Sequence, residues 1–461
     1  MMIPMSLREI ATFTRGELHH ATEENVEIGN ITTNSKDVKE NSLFVAIKGE
    51  RFDGHDFIGD FYRGGGVAAV SSRLVEDEGN LIVVGDTRLA LGDIARHYRK
   101  RFTGPVVGIT GSVGKTSTRR MIACVLSTQG SVCSTKGNLN NEIGLPLTLL
   151  SWEEGQRYAV VELGMNHLGE IRYLSGMARP DIAVITNIGT AHIGNLGSRE
   201  KILEAKLEIV EGMPSSGVLV LNGDDDLLYR MKDRIPLKTI TYGIHNPDCD
   251  IVVDSIEPYP NKSIFTLRND REMAISVNSP GTHQVYNALP AIAVGRQLGL
   301  PMPAIAEGIQ AFQPGNMRQN IIRAGRVTII EDCYNACPDS MEAALKVLAS
   351  FANAGVKVAV IGNMYELGAF TEQAHRQIGD CVAGLPIDLL VTVGEYAHLA
   401  AEQAKKRPID CVSFATNGEA ISFLKDTVRD DDVVLIKASR GAKFEEISQG
   451  LLRHLDTAAR R

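Results

Sequence analysis

The sequence predicts an α/β protein of three domains: a small α/β domain at the N-terminus, a central P-loop ATPase-like domain with a mainly parallel sheet, and a C-terminal Rossmann-like, doubly wound domain. Three observations lead there. The chain has 461 residues, too many for one ordinary core. Its texture changes twice along its length. From Pro105 onward, short β-rich runs alternate with helical ones, the pattern of parallel sheets covered by helices.

The first segment, residues 1–103, holds short mixed elements, with strand-like "SLFVAIKG" and "GVAAVSS" between Gly- and Asp-rich turns. The basic run "RHYRKRFTGP" leads into a new apolar strand and marks the first boundary. The second segment, 104–314, carries strands in "PVVGIT", "RYAVVELG", "DIAVITNIG" and "GVLVLNGD", and an amphipathic helix in "SREKILEAKLEIVEGM". "FQPGNMRQN", where Pro and Gly interrupt a helical stretch, marks the second boundary. The third segment, 315–461, alternates regularly: strands "RVTIIED", "VKVAVIGN", "DLLVTVGE" and "DDVVLIKA" flank helical patterns such as "PDSMEAALKVLASF". It has no G-x-G-x-x-G after its first strand, which argues against a dinucleotide role.

Composition excludes several classes. Hydrophobic residues make up 44% and charged residues 23%, the balance of a soluble globular protein. No apolar run reaches membrane-spanning length, and "MMIPMSLREI" has neither a basic start nor an apolar stretch that would read as a secretory signal. The seven scattered cysteines, without a C-x-x-C pair, read as reduced, mostly buried thiols of a cytosolic protein. A net charge of −8 argues against general nucleic-acid binding. Anionic ligands would be held by local cations and backbone N–H groups.

The chemistry concentrates in "GITGSVGKTST" (Gly108–Thr118). Strand, glycine turn and helix set backbone N–H groups and the positive end of a helix around one point. Gly111, Ser112, Val113, Gly114, Lys115, Thr116 and Ser117 form the expected phosphate cradle, with Lys115 as its cation and the Thr116 hydroxyl available to Mg²⁺. Ile109 stands where the usual loop begins with glycine, and no guanine-reading N-K-x-D follows, so ordinary kinases and GTPases are disfavoured. Glu162 and His192 each follow a strand of the same predicted sheet, where ligands of open α/β sheets gather. A carboxylate and an imidazole there suit Mg²⁺ or Mn²⁺ carried partly by phosphates. Each alone has a plain structural reading, as a strand-end carboxylate and a turn histidine. Lys206, in "EAKLEIV", reads by spacing as a solvent-facing lysine. "KGNLNNEIGLP" places Asn138, Asn140 and Asn141 before an apolar helix, either as caps and turns or as the lining of a polar cleft.

Together these motifs resemble the Mur ligase family, ATP-dependent amide-bond-forming enzymes of bacterial cell-wall synthesis. "TGSVGKT" is similar to that family's loop, and "TKGNLNNEIGLPLTLL", "ELGMNHLGEI", "TNIGTAHIGNLGSREKILEAK", "DCYNACPDSMEAAL" and "NSLFVAIKGERFDGHDFI" extend the likeness over almost the whole chain. The member most resembled adds D-alanyl-D-alanine to UDP-N-acetylmuramoyl-tripeptide through an acyl phosphate. The resemblance implies ATP and Mg²⁺, no nucleic-acid partner, a cytoplasmic setting and a monomer. It implies catalytic roles for Lys115, His192 and Lys206, the last as a carbamylated lysine sharing metal binding with Thr116, Glu162 and His192. Asn287 would contact adenine, and Arg318 and Asp332 would complete the nucleotide site. Tyr334, Asn335 and Ser340 would face the dipeptide; Ser35, Lys36, Lys48 and His55 would face the UDP end.

The sequence departs from the family pattern at "TNSK", where Asn34 and Lys36 replace an aspartate and an arginine, and at Cys337 and Ala438. Other readings are a sibling or folylpolyglutamate-type ligase, a non-catalytic ATP-gated binding module, and a P-loop kinase. Three domains around one site also predict closure of the C-terminal domain onto the other two.

Overall fold

The computed structural model describes residues 2–20, 26–76, 79–352 and 355–459, with side chains described to residue 456. Among the described residues, three mixed or parallel sheets follow one another along the chain, beside a short pairing of Met5–Ser6 with Glu27–Ile28.

The N-terminal sheet has the order Glu17–His19, Asn80–Val83, Ala68–Ser71, Ser42–Val45, Asn30–Thr32. It is parallel except for its first, antiparallel edge. Its central strands "SLFV" and "AAVS" are buried on both faces, which is why they read as unbroken rather than alternating runs. The helix Thr87–Arg99 follows the sheet and lies against Gly144–Leu150 and Glu170–Ala178 of the central domain. Two of its residues fasten the domains. The Tyr98 hydroxyl donates to Trp152 O at 2.6 Å and accepts from Ile3 N at 2.9 Å. The Arg99 guanidinium donates to the carbonyls of Ala178 (2.7 Å) and Arg179 (3.1 Å) and pairs with Asp181.

The central sheet has nine strands among the described residues, and Val106–Thr110 lies between Tyr158–Glu162 and Ile182–Ile185, all parallel. Glu162 pairs in register with Ile109, so its carboxylate emerges beside the turn that follows Thr110. The helix Lys115–Ser127 buries Met121, Ile122, Val125 and Leu126, packing against Thr282–Gln297 and Met302–Gln310. Ile251–Pro258, Ser263–Leu267 and Asp270–Val277 extend the sheet as an antiparallel ribbon, which the alternating β/helix reading does not include.

The C-terminal sheet runs Asn320–Ala324, Val327–Glu331, Val433–Lys437, Lys357–Gly362, Leu389–Val393, Asp410–Phe414. It is parallel apart from its first strand. Helices Pro338–Ala349, Thr371–Ala383, Asn417–Thr427 and Glu445–Ala459 complete the doubly wound arrangement. This domain touches the central one through the segment 189–194 and through the buried Gln319, which bonds His283, Gln284 and Pro280 O. Gly194 N donates to Glu366 O at 3.2 Å, and Ile193 and Leu367 are buried on either side of the junction. All seven cysteines are unpaired; Cys133, Cys333 and Cys337 are buried and the other four partly so. No helix among the described residues is long and apolar enough to cross a membrane.

Candidate active site

Val106–Thr110 is a buried strand that stops where Gly111 (φ 147°) turns the chain; Gly114 (φ 84°) then starts the helix Lys115–Ser127. Left-handed φ at Gly114 suits a residue without Cβ, and a Cβ there would stand 2.5 Å from Asn287 Oδ1. The loop is braced from the neighbouring strand end. Val113 N donates to Asn187 Oδ1 (3.0 Å), Ser112 N to Asn187 O (3.1 Å), and Gly189 N to Ser112 Oγ (3.0 Å). Lys115 folds back over its own loop, its Nζ donating to Gly111 O at 2.8 Å and Ser112 O at 3.3 Å. Burial lowers the pKa of this amine, and the Glu162 carboxylate partly offsets the shift. A cation held by carbonyls alone is free to exchange them for phosphate oxygens.

Glu162 is 2% exposed and collects three partners. Thr116 Oγ1 donates to its Oε2 at 3.0 Å, Asn140 Nδ2 to its Oε1 at 3.0 Å, and Arg119 Nε lies 3.6 Å from Oε2. The asparagine block therefore serves both purposes left open by its sequence. Asn141 Oδ1 accepts from Gly144 N at 2.9 Å at the start of the helix, while Asn138 and Asn140 line the cleft. His192, with φ 63°, lies on the opposite wall, its Nδ1 2.8 Å from Glu366 Oε2 without hydrogen-bond alignment.

Lys206 corrects the sequence reading. It is 1% exposed, not solvent-facing. The helix Arg199–Leu207 turns Ile202, Ala205 and Lys206 inward on one face, at i, i+3 and i+4, and leaves Glu200, Lys201 and Glu204 exposed on the other. Burial, with the nearby positive charge of Lys115, pushes its amine well below the ordinary lysine range. The shift favours the neutral, nucleophilic form of the amine.

Asn287 sits beneath the loop on the helix Thr282–Gln297, with Oδ1 accepting from Thr118 Oγ1 (3.2 Å) and Nδ2 donating to Gln284 (3.1 Å). Across the cleft, the Arg318 guanidinium stacks 4.0 Å from the Tyr334 ring centroid. Asp332 accepts from Gln319 N at 3.1 Å and pairs at 2.6 Å with Lys437, which is 2% exposed and donates also to Asn335 O at 3.2 Å. Ser340 and Cys337 share the capping of Pro338–Ala349, with Cys337 N donating to Ser340 Oγ at 3.0 Å. One cleft of about 830 Å³ is lined by Ser112–Ser117, the three asparagines, Glu162, His192, Asn287, Arg318, Asp332, Tyr334, Asn335 and Ser340.

The four N-terminal residues lie outside that lining. Lys36 and Lys48 are exposed and Ser35 is half-buried. His55 is 7% exposed and engaged within its own domain, between Asp53 Oδ1 at 2.5 Å and the Ser72 N–H at 3.0 Å. Sequence reasoning missed Asn187, Arg119, Gln319, Glu366 and Lys437. A lysine closing the apolar strand "VVLIK" was a signal; Arg119, inside an ordinary-looking helix, offered none.

The donor set fits one Mg²⁺: a carboxylate beside a threonine hydroxyl, with phosphate oxygens and waters to complete the shell. No cluster of three or more His, Cys, Asp or Glu able to hold a metal occurs among the described residues.

Comparison with known proteins places these features in a family context. Residues 109–295 match the Mur ligase middle domain, 317–440 the Mur ligase, glutamate ligase domain, and 27–99 the Mur ligase family, catalytic domain. The chain is 38% identical over 459 residues to UDP-N-acetylmuramoyl-tripeptide–D-alanyl-D-alanine ligase of Bacillus subtilis (strain 168), covering 98% of this chain and 99% of that one. It is 34% identical over 456 residues to the enzyme of the same name from Escherichia coli (strain K12), with coverage of 98% and 99%. A crystal structure of MurF from Acinetobacter baumannii superposes with a TM-score of 0.91 at 34% identity, covering 98% and 99% of the two chains. The MurF ligase of Thermotoga maritima in complex with ADP gives 0.83 at 30% identity, covering 93% and 98%.

Proposed function

The chain belongs to the Mur ligase family, and on that premise we infer that it is an ATP-dependent ligase joining D-alanyl-D-alanine to UDP-N-acetylmuramoyl-tripeptide in peptidoglycan precursor synthesis. The observation that carries this reading is the single cleft onto which the phosphate loop, the asparagine block and the Tyr334–Ser340 motif all open.

The chemistry has two demands. A carboxylate is a poor electrophile, and bringing it to ATP sets two anions together. Lys115 and the loop N–H groups hold the phosphates, offset that repulsion and stabilise charge on the γ-phosphoryl group as it moves to the substrate carboxylate. Glu162 and Thr116 would hold Mg²⁺, which when bound supplies further charge stabilisation on the phosphates. Attack of the dipeptide amine on the acyl phosphate then gives the amide and phosphate, with ADP left on the loop. Tyr334, Asn335 and Ser340 orient the dipeptide from the C-terminal side, and Arg318, Asp332 and Asn287 enclose the nucleotide. His192 and, once carbamylated, Lys206 would hold a second metal ion; the depressed basicity of Lys206 supports that modification, since only a neutral amine takes up CO₂.

In this reading residues 1–103 anchor the UDP end through Ser35, Lys36, Lys48 and the turn at His55, 104–314 bind ATP, and 315–461 present the dipeptide. The protein works as a cytoplasmic monomer. The test is to supply purified protein with ATP, D-alanyl-D-alanine and UDP-tripeptides bearing either meso-diaminopimelate or lysine, and to identify products by mass. A UDP-pentapeptide formed with stoichiometric ADP is the expected result. A phosphorylated product without an amide, or phosphate release indifferent to dipeptide, would overturn the reading.

A further inference from the structure

We propose that Asp339 is a positioning residue, a latch that seats the dipeptide-bearing domain on the phosphate loop. Its Oδ2 accepts two hydrogen bonds from the central domain, from Thr190 N at 3.1 Å and from Thr190 Oγ1 at 3.1 Å. The approach is close enough that a Cβ on Gly189 would lie 2.4 Å from the same oxygen. Asp339 is not the cap of its own helix: at the start of Pro338–Ala349, Cys337 N donates to Ser340 Oγ. Its carboxylate is therefore free to reach across the domain boundary.

What it grips is part of the nucleotide site. Gly189, the residue before Thr190, donates its N–H to Ser112 Oγ at 3.0 Å, and Asn187, two residues earlier, receives the N–H groups of Ser112 and Val113. The segment 187–190 is thus a short rigid link with the phosphate loop at one end and Asp339 at the other. Asp339 and the next residue, Ser340, both line the cleft beside Tyr334 and Asn335. The order of contacts is phosphate loop, Gly189, Thr190, Asp339, dipeptide-facing motif. A loop correctly arranged around nucleotide presents Thr190 to Asp339, and the seated domain brings the amine site to the activated carboxylate. Hydrogen bonds to a charged acceptor are among the stronger neutral–ionic contacts, so losing both is expected to shift closure about 10-fold or more.

The proposal rests on the ligase reading, and the experiment separates the two. Wild type, D339A, D339N, T190V and the D339A/T190V double variant are compared after thermal melts confirm folding. Solution scattering with ADP and magnesium tests the latch whether or not turnover is seen: wild type stays compact and D339A becomes more extended. Kinetics test its consequence: D339A raises KM for D-alanyl-D-alanine about 10-fold or more, while ADP affinity, held mainly by the loop and in part by Arg318 and Asp332 of the moving domain, falls by less. D339N, which keeps an acceptor oxygen, recovers most of that loss. T190V shifts KM in the same direction, and the double variant is no worse than D339A alone. A compact D339A with unchanged KM, an equal loss of ADP affinity, or additive effects in the double variant would overturn the latch. An inactive wild type counts against the ligase reading alone.

Discussion

Two neighbouring lysines, Lys115 in the cleft lining and Lys206 buried outside it, do opposite things. Lys115 is held by carbonyls that phosphate oxygens can replace, so its charge matters to the transition state rather than to the fold. K115A is therefore expected to keep its melting profile and to lose on the order of 10²–10³ in turnover, the usual cost of removing one electrostatic stabiliser. Phosphate release within a few fold of wild type would refute this. Lys206 is a burden on the fold. Its basicity is depressed in the folded chain, so the unfolded chain binds more protons between the depressed folded value and the ordinary lysine range. The penalty is absent above that range, grows as pH falls towards the depressed folded value, and is constant below it. K206M, nearly equal in length and neutral, should raise the melting temperature of the central domain by about 2–4 °C near neutral pH while abolishing ligation. Calorimetry at pH 7 and pH 10 checks both the gain and its shrinkage at the higher pH. A K206M protein that melts lower than wild type at both would show that the amine contributes structure.

Among the elements, the strand–turn–helix Val106–Ser127 was the most legible in the sequence, because glycine spacing, an apolar strand and a lysine constrain one local geometry. What the sequence could not convey was how other elements use it. Gly114 lacks a Cβ for its φ and also because Asn287, far along the chain, sits against it. G114A should lower ADP affinity about 10-fold or more, measured by titration calorimetry, by displacing Asn287 and tightening the turn; unchanged affinity would show the turn has slack. The parallel strands were equally legible, since burial on both faces leaves continuous apolar runs. The antiparallel ribbon Ile251–Val277 was not, because its half-exposed strands carry "YPNKS" and charged positions that resemble loop. Lys206 was misread for a related reason. A lysine among glutamates on a helix normally faces water, and only tertiary packing shows this one enclosed. Glu162 and the asparagines were identified singly, whereas the hydrogen bond from Asn140 to Glu162 comes from the loop after Val132–Ser134 folding over the end of the neighbouring strand.

The whole molecule divides into a firm junction and a light one. The N-terminal and central domains share the packed helices Thr87–Arg99, Gly144–Leu150 and Glu170–Ala178, and Tyr98 is buried there with its hydroxyl serving Ile3 N and Trp152 O together. The C-terminal domain meets the centre through the short segment 189–194, through the buried Gln319, which bonds Pro280 O, His283 and Gln284, and through a few side chains at the cleft mouth. A substrate anchor must stay put while the amine donor comes and goes, so this asymmetry matches the division of labour between the domains. Y98F tests it. Removing the hydroxyl leaves a buried carbonyl and a buried N–H without that partner, a cost of about 1–3 kcal/mol. The loss should fall on the N-terminal and central domains as a unit, lowering the denaturant midpoint of that transition and leaving the C-terminal transition unmoved. Hydrogen exchange read by mass supplies the local check: amides of Thr87–Arg99 and Gly144–Leu150 should exchange faster together, while those of Pro338–Ala349 keep their wild-type rates. Faster exchange confined to the N-terminal domain would mean that the two domains unfold separately and that the firm junction is not one.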